Sequence, residues 1–554
     1  MAPNIPPRSL VEPVATPDQW TRPEPTTEPF ETAPGEYAPA GITIRRGVAP
    51  SRPGQKLETE SPQRRSLQTQ TGLEAYVPGP DAPWTTERAI HLLSRTGYGV
   101  HADAIAAALE AGPSASVNAL VDAVASMPAP PQPAWYRESF PPWRSAEYEV
   151  FSDAQEGRLR EYQWGVYRAC LGGDSSDPLE RTATAFRERL ALMWSNHFVT
   201  EHEAYYFSPF LARYWGLMRR HALGDFRSFV HDVGIDPAML IYLNGWENQA
   251  GSPNENYARE LLELFTMGIT DRDGAQNYSQ RDVEELSRAL TGWSIEFQGD
   301  LEGVFYDDWH DGGTKTILGQ TGPWSYEDII PILFEARSPQ IARFVCRMIY
   351  REFVYDVPDE GVVGEMATLF EKSDFQIDPV IRALLGSAHF FDAAVIRSRI
   401  KSPAERSFGL WSTLSIPAVR SEQGWMWYQM YLANQILFEP WNVAGWPGGR
   451  TWVDTSSLPI RWFVDGITLW KAREYQTLQP FALEAGAYEP RAFVRHAATL
   501  LLGREPDEQA VETYTGVLLD TIPEYEWDPT ATGADIRIRA LLEHLTRLPE
   551  FQLG

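Results

Sequence analysis

Residues 253–269 read PNENYARELLELFTMGI, and the periodicity of this stretch decides the fold class. At about 100° per residue, Tyr257, Ala258, Leu261, Leu262, Leu264 and Phe265 share one side of a helix. Asn256, Arg259, Glu260 and Glu263 share the other. Asn254 follows Pro253 and is placed to cap the helix, accepting from an otherwise unpaired backbone N–H. Glu255 lies in the first turn, where a carboxylate complements the helix dipole. Glu255, Arg259 and Glu263 form an i, i+4, i+8 ladder worth roughly a few tenths of a kcal/mol per pair on an exposed face. Capping and a solvated ladder account for most of the stretch. So many short amides and carboxylates together also suit one half of a polar site.

Helical spacing extends over most of the chain. TTERAIHLLSRTGYG puts Ile90, Leu92 and Leu93 behind Thr85 and Thr86 as cap candidates, and Gly97 and Gly99 end it. HADAIAAALEAG and SVNALVDAVASM repeat the amphipathic pattern. Residues 178–198 start after Asp177 with Pro178 at a favoured first-turn position, and Phe186, Leu190, Met193, Trp194 and Phe198 mark the apolar stripe. Helices are expected at 207–223, 226–243, 254–267 and 279–292, the last opened by a short-armed capping box at Ser279 and Asp282. SYED at 325–328 starts another, and the pattern continues at 338–352, 361–372, 377–388, 402–414 and 423–438. It resumes near 457–475, 490–503, 507–521 and 534–547.

Two stretches break the helical period. Residues 295–324 alternate around Val304 and Tyr306 and carry a Gly-Gly pair, predicting a hairpin or a long ordered loop. The other is EPWNVAGWPGGRTWVDTSS at 439–457. No repeat recurs at a fixed period, which disfavours a solenoid. The expected fold is mostly α: a multi-helical globular body over 81–475 and a C-terminal helical subdomain over 476–554. Residues 1–80 hold 15 of the 43 prolines, a composition that cannot bury enough apolar surface to offset ordering entropy. They read as a disordered or wrapping extended arm, in which GITIRR could add a strand.

The totals narrow the partners. The chain has 554 residues, 43% hydrophobic and 12% aromatic, enough for a large core. Its net charge of −27 repels phosphate backbones and anionic lipid, so no nucleic-acid partner is expected. Cys170 and Cys346 are too few for a disulfide framework or a cysteine zinc cluster, and one bridge forms only if the fold brings them together. No run of 18 apolar residues predicts a membrane span. The start shows no charged and apolar signal pattern, and Arg45 and Arg46 are not followed by an apolar segment, so a cytoplasmic location is expected from the sequence as written.

Chemistry-bearing residues cluster outside the opening helix as well. WSNHF ends an apolar helix with Asn196 and His197, positions that suit capping, packing or a ligand role. WHDGGTK carries His310, Asp311 and Lys315 on a glycine-rich loop, where imidazole and carboxylate could bind a metal or move a proton. Asp236, Asn244 and Asn248 precede the opening helix. Neither histidine cluster has the spacing of HExxH, and no phosphate loop, GxGxxG or GxSxG pattern occurs. GWPGGRTW suits either ligand stacking or an ordered turn beneath tryptophans.

WSNHF, HALGDFRSFVHDVGIDPAMLIYLNG, PNENYARELLELFTMGI, YSQRDVEELSRALTGW, HDGGTKTILGQTG, KSPAE and GWPGGRTW occur in an order that resembles the bacterial DUF1800 family, from about Arg88 to beyond Arg461. The resemblance implies a mainly helical domain of unknown function. It also implies an envelope or extracellular setting, because members often carry export signals. A protein partner is implied by gene neighbours of the DUF1501 type, which resemble the alkaline-phosphatase/sulfatase superfamily. The positions it carries over are Asn196, His197, Asn254, Glu255, Asn256, Arg259, Glu260, His310, Asp311 and Lys315. Asn244 stands where the family usually has an aspartate after Tyr-Leu, which removes one carboxylate from any metal set.

Two functions follow as expectations. In one, the chain is a helical scaffold or assembly protein and the polar motifs form a network that fixes helix orientation. In the other, it is a metal-dependent hydrolase or transferase acting on a phosphate, sulfate or ester centre. There Glu260, Glu263, His310, Asp311, Lys315 and Arg259 carry the chemistry, with His197, Glu260 and His310 as ligands of a divalent cation. Asn196, Asn254, Glu255 and Asn256 bind substrate or complete the polar network.

Overall fold

The computed structural model describes residues 67, 69, 71–139, 141, 146–297 and 301–554. Most of the proline-rich arm, GITIRR included, lies outside the described residues. The final part of that stretch lies along the body: Ala75 bridges Ser387, and the Tyr76 N–H donates to the Gly386 carbonyl at 2.9 Å. The body is mostly α, as the periodicity predicts. Arg64–Gly554 forms one compact unit. Within it, Arg461 donates to the Gln552 side chain at 2.9 Å and Ile400 bridges Leu553.

Local signals explain many boundaries. Asp177 caps Pro178–Ser195 by accepting from the Glu180 N–H at 2.8 Å. The apolar stripe of this helix is fully buried at Phe186, Leu190 and Trp194, where it packs against Pro113–Ser126, Gln155–Cys170 and Ser208–His221. Ser279 and Asp282 form the predicted capping box on Gln280–Ala289, and Ser402 with Glu405 forms another on Pro403–Thr413. Thr85 occupies a capping position without a side-chain bond.

The single helix expected over 226–243 is two. Phe226–Gly234 ends, Asp236 accepts from the Ala238 N–H at 2.9 Å, and Pro237 opens Pro237–Tyr242. Proline cannot donate to the preceding turn, so the helix restarts there. The two helices expected from SYED at 325–328 and over 338–352 are both present: Tyr326–Phe353 is broken by a kink at Arg337, whose backbone is non-helical (φ −137, ψ 26), two residues before Pro339.

The predicted break at 295–324 holds two small antiparallel ribbons. Trp293–Ile295 pairs with Gly303–Phe305, and Lys315–Ile317 pairs with Gln320–Gly322. Cys170 and Cys346 are buried free thiols. Among the described residues, no single helix is long and apolar enough to cross a membrane.

Candidate functional site

The opening helix is α only for its first six residues, Glu255–Glu260, and continues as a π-helix over Leu261–Thr266. Widening from a four- to a five-residue hydrogen-bond step changes which carbonyls are free, and such turns often sit at functional sites. Side chains take up the altered backbone. The Thr266 hydroxyl donates to the Leu261 carbonyl at 2.5 Å, and His197 Nε2–H donates to the Phe265 carbonyl at 2.9 Å. Asn277 Nδ2 donates to the Met267 and Gly268 carbonyls at 2.8 and 3.1 Å. Gly268 has φ +74, and a Cβ there would meet the Phe344 ring at 3.1 Å.

Amides hold the other end. Asn254 Oδ1 accepts from the Asn256 N–H at 2.9 Å, and Asn256 Nδ2 donates to Asn244 Oδ1 at 3.2 Å. The Asn254 N–H donates to Asn248 Oδ1 at 2.8 Å, while Asn248 Nδ2 donates to the Ser287 carbonyl at 2.9 Å. Asn248 is buried and therefore ties the helix start to the facing Gln280–Ala289 helix. On the outer face, Arg259 pairs with Glu255 at 2.8 Å and donates to Gln280 at 3.1 Å.

The 310–315 loop is latched to the far end of Gln280–Ala289. Arg288 Nε donates to Asp311 Oδ2 at 2.7 Å. His310 Nδ1–H donates to the Thr291 carbonyl at 2.9 Å, and the Asp311 N–H donates to Thr291 Oγ1 at 2.8 Å. Lys315 is 1% exposed, and its ammonium donates to the Asp311 carbonyl and, at 3.0 Å, to the Gly313 carbonyl. Burial pulls the Lys315 ammonium below the ordinary lysine range.

Asn196 clamps the tryptophan-rich insert. Its Oδ1 accepts from the Trp446 N–H at 2.7 Å and its Nδ2 donates to the Trp446 carbonyl at 3.2 Å. His197 is enclosed by Trp194, Phe198, Phe226, Phe265 and Phe344, and this burial lowers its pKa to about 4.

Glu260 differs from its neighbours. Glu263 accepts from the Tyr278 hydroxyl at 3.1 Å, whereas the half-buried Glu260 carboxylate has no hydrogen bond or ion pair among the described residues. Desolvation, then repulsion from Glu263, raises its pKa to about 7, against a smaller opposing pull from Arg259. A carboxyl that changes charge near neutrality can give or take a proton.

Apart from Asn196, which holds the tryptophan-rich insert, the expected residues lie on or against one helix pair without sharing one contact set. Among the described residues, no hydrogen bond or ion pair joins Glu260 or Glu263 to His197, His310, Asp311 or Lys315. His197, Glu260 and His310 do not form a ligand set: among the described residues, no group of three or more His, Cys, Asp or Glu side chains could hold a metal ion. The physical reason is that His197 faces an aromatic core and His310 a backbone carbonyl. Thr266, Asn277, Thr291 and Tyr278 complete the network and were missed in the sequence, where nothing in their spacing marks them.

A family model described as "Protein of unknown function (DUF1800)" matches residues 91–553, most of the chain. No curated protein and no solved structure matches.

Proposed function

The chain belongs to the DUF1800 family, and we propose that it acts there as a helical scaffold that presents a rigid surface to a protein partner. One observation carries this reading: among the described residues, Asn196, His197, Asn254, Glu255, Asn256, Arg259, Glu263, His310, Asp311 and Lys315 each hold backbone or another side chain, and of the candidate site residues Glu260 alone does not. Networks satisfied in this way rigidify a fold and fix helix orientation. The partner suggested by the resemblance is a DUF1501-type protein in an exported or envelope assembly. The test is purification of the tagged full chain from its native cell under a moderate salt wash. Stoichiometric recovery of a phosphatase/sulfatase-like protein supports the scaffold, and recovery of the chain alone counts against it.

Glu260 favours a second reading. An unpaired carboxyl titrating near neutrality beside Glu263 suits acid–base hydrolysis or transfer at a phosphate, sulfate or ester centre. Turnover of such a substrate by the purified chain, abolished in Glu260→Gln with the fold intact, would establish it in place of the scaffold.

A further inference from the structure

A second charged cluster lies away from the opening helix, where Pro403–Thr413 meets the C-terminal helices. Arg397, Lys401 and Arg406 line a cavity of about 40 Å³ together with Leu410, Leu500, Leu501 and Phe551. Glu405, whose carboxylate is already taken by Arg189 and Arg399, also lines it, as does Gly554. Behind it stand Arg95, Arg189, Arg399 and Arg461, all buried. The acids facing these cations are Glu87, Glu352, Glu405 and Asp465. Cations outnumber carboxylates within a protein whose overall charge is −27.

Ion pairs do not remove the excess. Arg189 pairs with Glu352 at 3.0 Å and with Glu405 at 2.5 Å. Arg399 shares Glu405, and Arg406 takes Asp465. Among the described residues, Arg95, Arg397, Lys401 and Arg461 have no carboxylate partner. Arg461 reaches only the Gln552 side chain and the Trp452 and Lys401 carbonyls, at 2.9, 3.3 and 2.8 Å. Arg397 donates to the Leu553 carbonyl at 2.9 Å. Arg95 Nε and Nη1 and Arg406 Nε are buried without partners. Among the described residues, Lys401 makes no hydrogen bond through its ammonium, which lies 4.3 Å from the Phe551 ring centroid.

We infer that this cavity binds a compact oxyanion of the phosphate or sulfate type, held by Lys401, Arg397 and Arg406. Burying unpaired cations is costly, and an anion among them cancels that cost. Guanidinium groups present planar donor forks suited to oxyanions. The apolar side chains on one part of the lining lower the local dielectric and strengthen each attraction. The volume accommodates about three water molecules, enough for one small tetrahedral ion. Burial, with repulsion from Arg397 and Arg406, pushes Lys401 well below the ordinary lysine range, and a neighbouring anion opposes that shift. Lys401 belongs to KSPAE, a motif that the opening-helix network does not use.

The test is calorimetric titration of the full chain, desalted into chloride buffer, with inorganic phosphate and then sulfate at constant ionic strength. Saturable binding near one anion per chain is expected. Lys401→Met, which keeps the stem beside Phe551, should weaken binding at least tenfold, and Lys401→Arg should retain it. Arg397→Gln gives the same comparison if Lys401→Met does not fold. A phosphomonoester that competes identifies a phosphorylated ligand as the source, and failure to compete identifies the free ion; both outcomes uphold the site. Absence of saturable binding, or equal affinity in folded Lys401→Met, overturns the inference.

Discussion

Asn196 grips Trp446 through both atoms of its amide, accepting from the N–H at 2.7 Å and donating to the carbonyl at 3.2 Å across 250 residues of sequence. Gly445 permits the approach. Its φ is +78, and a Cβ there would stand 2.2 Å from Asn196 Oδ1. Asn196→Ala is therefore expected to lose about 1–3 kcal/mol of stability by leaving buried backbone groups unpaired. Gly445→Ala should lose at least as much, and the double variant less than the sum, because the two act on one contact. Thermal unfolding of the three variants checks this, and wild-type midpoints would contradict it.

Buried histidines make the protein acid-labile. His197, His101 and His202 all have pKa values lowered to about 4, chiefly by desolvation, whereas the unfolded chain protonates near 6.5. Between these values the unfolded state binds more protons. Their stabilisation is complete above about pH 6.5 and is lost as pH falls toward 4. For His197 alone the loss is about 3 kcal/mol. His197→Gln should flatten the fall of melting temperature across that window, and an unchanged slope would contradict the assignment.

Glu260 has the opposite sign. Its raised pKa, about 7, means that the folded state holds a proton that the unfolded state releases above about 4.5. Stability associated with this group is present below the unfolded pKa and is lost as pH rises through 7. Glu260→Gln should raise the melting temperature above pH 7 and leave it unchanged at acid pH. A uniform shift at all pH values would refute the titration.

Much of the fold is legible because its signals are local. Asp177 with Pro178 and Ser279 with Asp282 mark helix starts to within a residue, although both helices end three residues early, and the 490–503 and 534–547 stripes lead to helices whose observed ends differ by a residue or less. The π-turn at Leu261–Thr266 is not legible, since the same apolar residues fit a continuous α-helix. Residue types at the candidate site are visible in the sequence, but their partners are not. Asn196 depends on Trp446, and His197 on the Phe265 carbonyl, so neither role exists before the chain folds. The buried cations escape notice for the same reason, with Arg95, Arg189, Arg399 and Arg461 scattered along the sequence.

Glu405 offers a test of the buried charges. Its carboxylate joins Arg189 and Arg399 and accepts from the Ser402 N–H at 2.7 Å. The two cations hold its pKa well below the ordinary carboxylate range against desolvation. Glu405→Gln strands Arg399, leaves Arg189 with Glu352 alone, and should cost about 3–5 kcal/mol. An unfolding midpoint near wild type would show that the pairs contribute little.

Lys315 bears most directly on whether the motif residues serve architecture or chemistry. Its ammonium is buried and holds the Asp311 and Gly313 carbonyls. The decisive measurement is thermal unfolding of Lys315→Met together with amide hydrogen exchange over 309–318. A loss of about 1–3 kcal/mol with faster exchange in that loop is the predicted result. Wild-type stability and exchange, accompanied by loss of a hydrolytic activity, would contradict it.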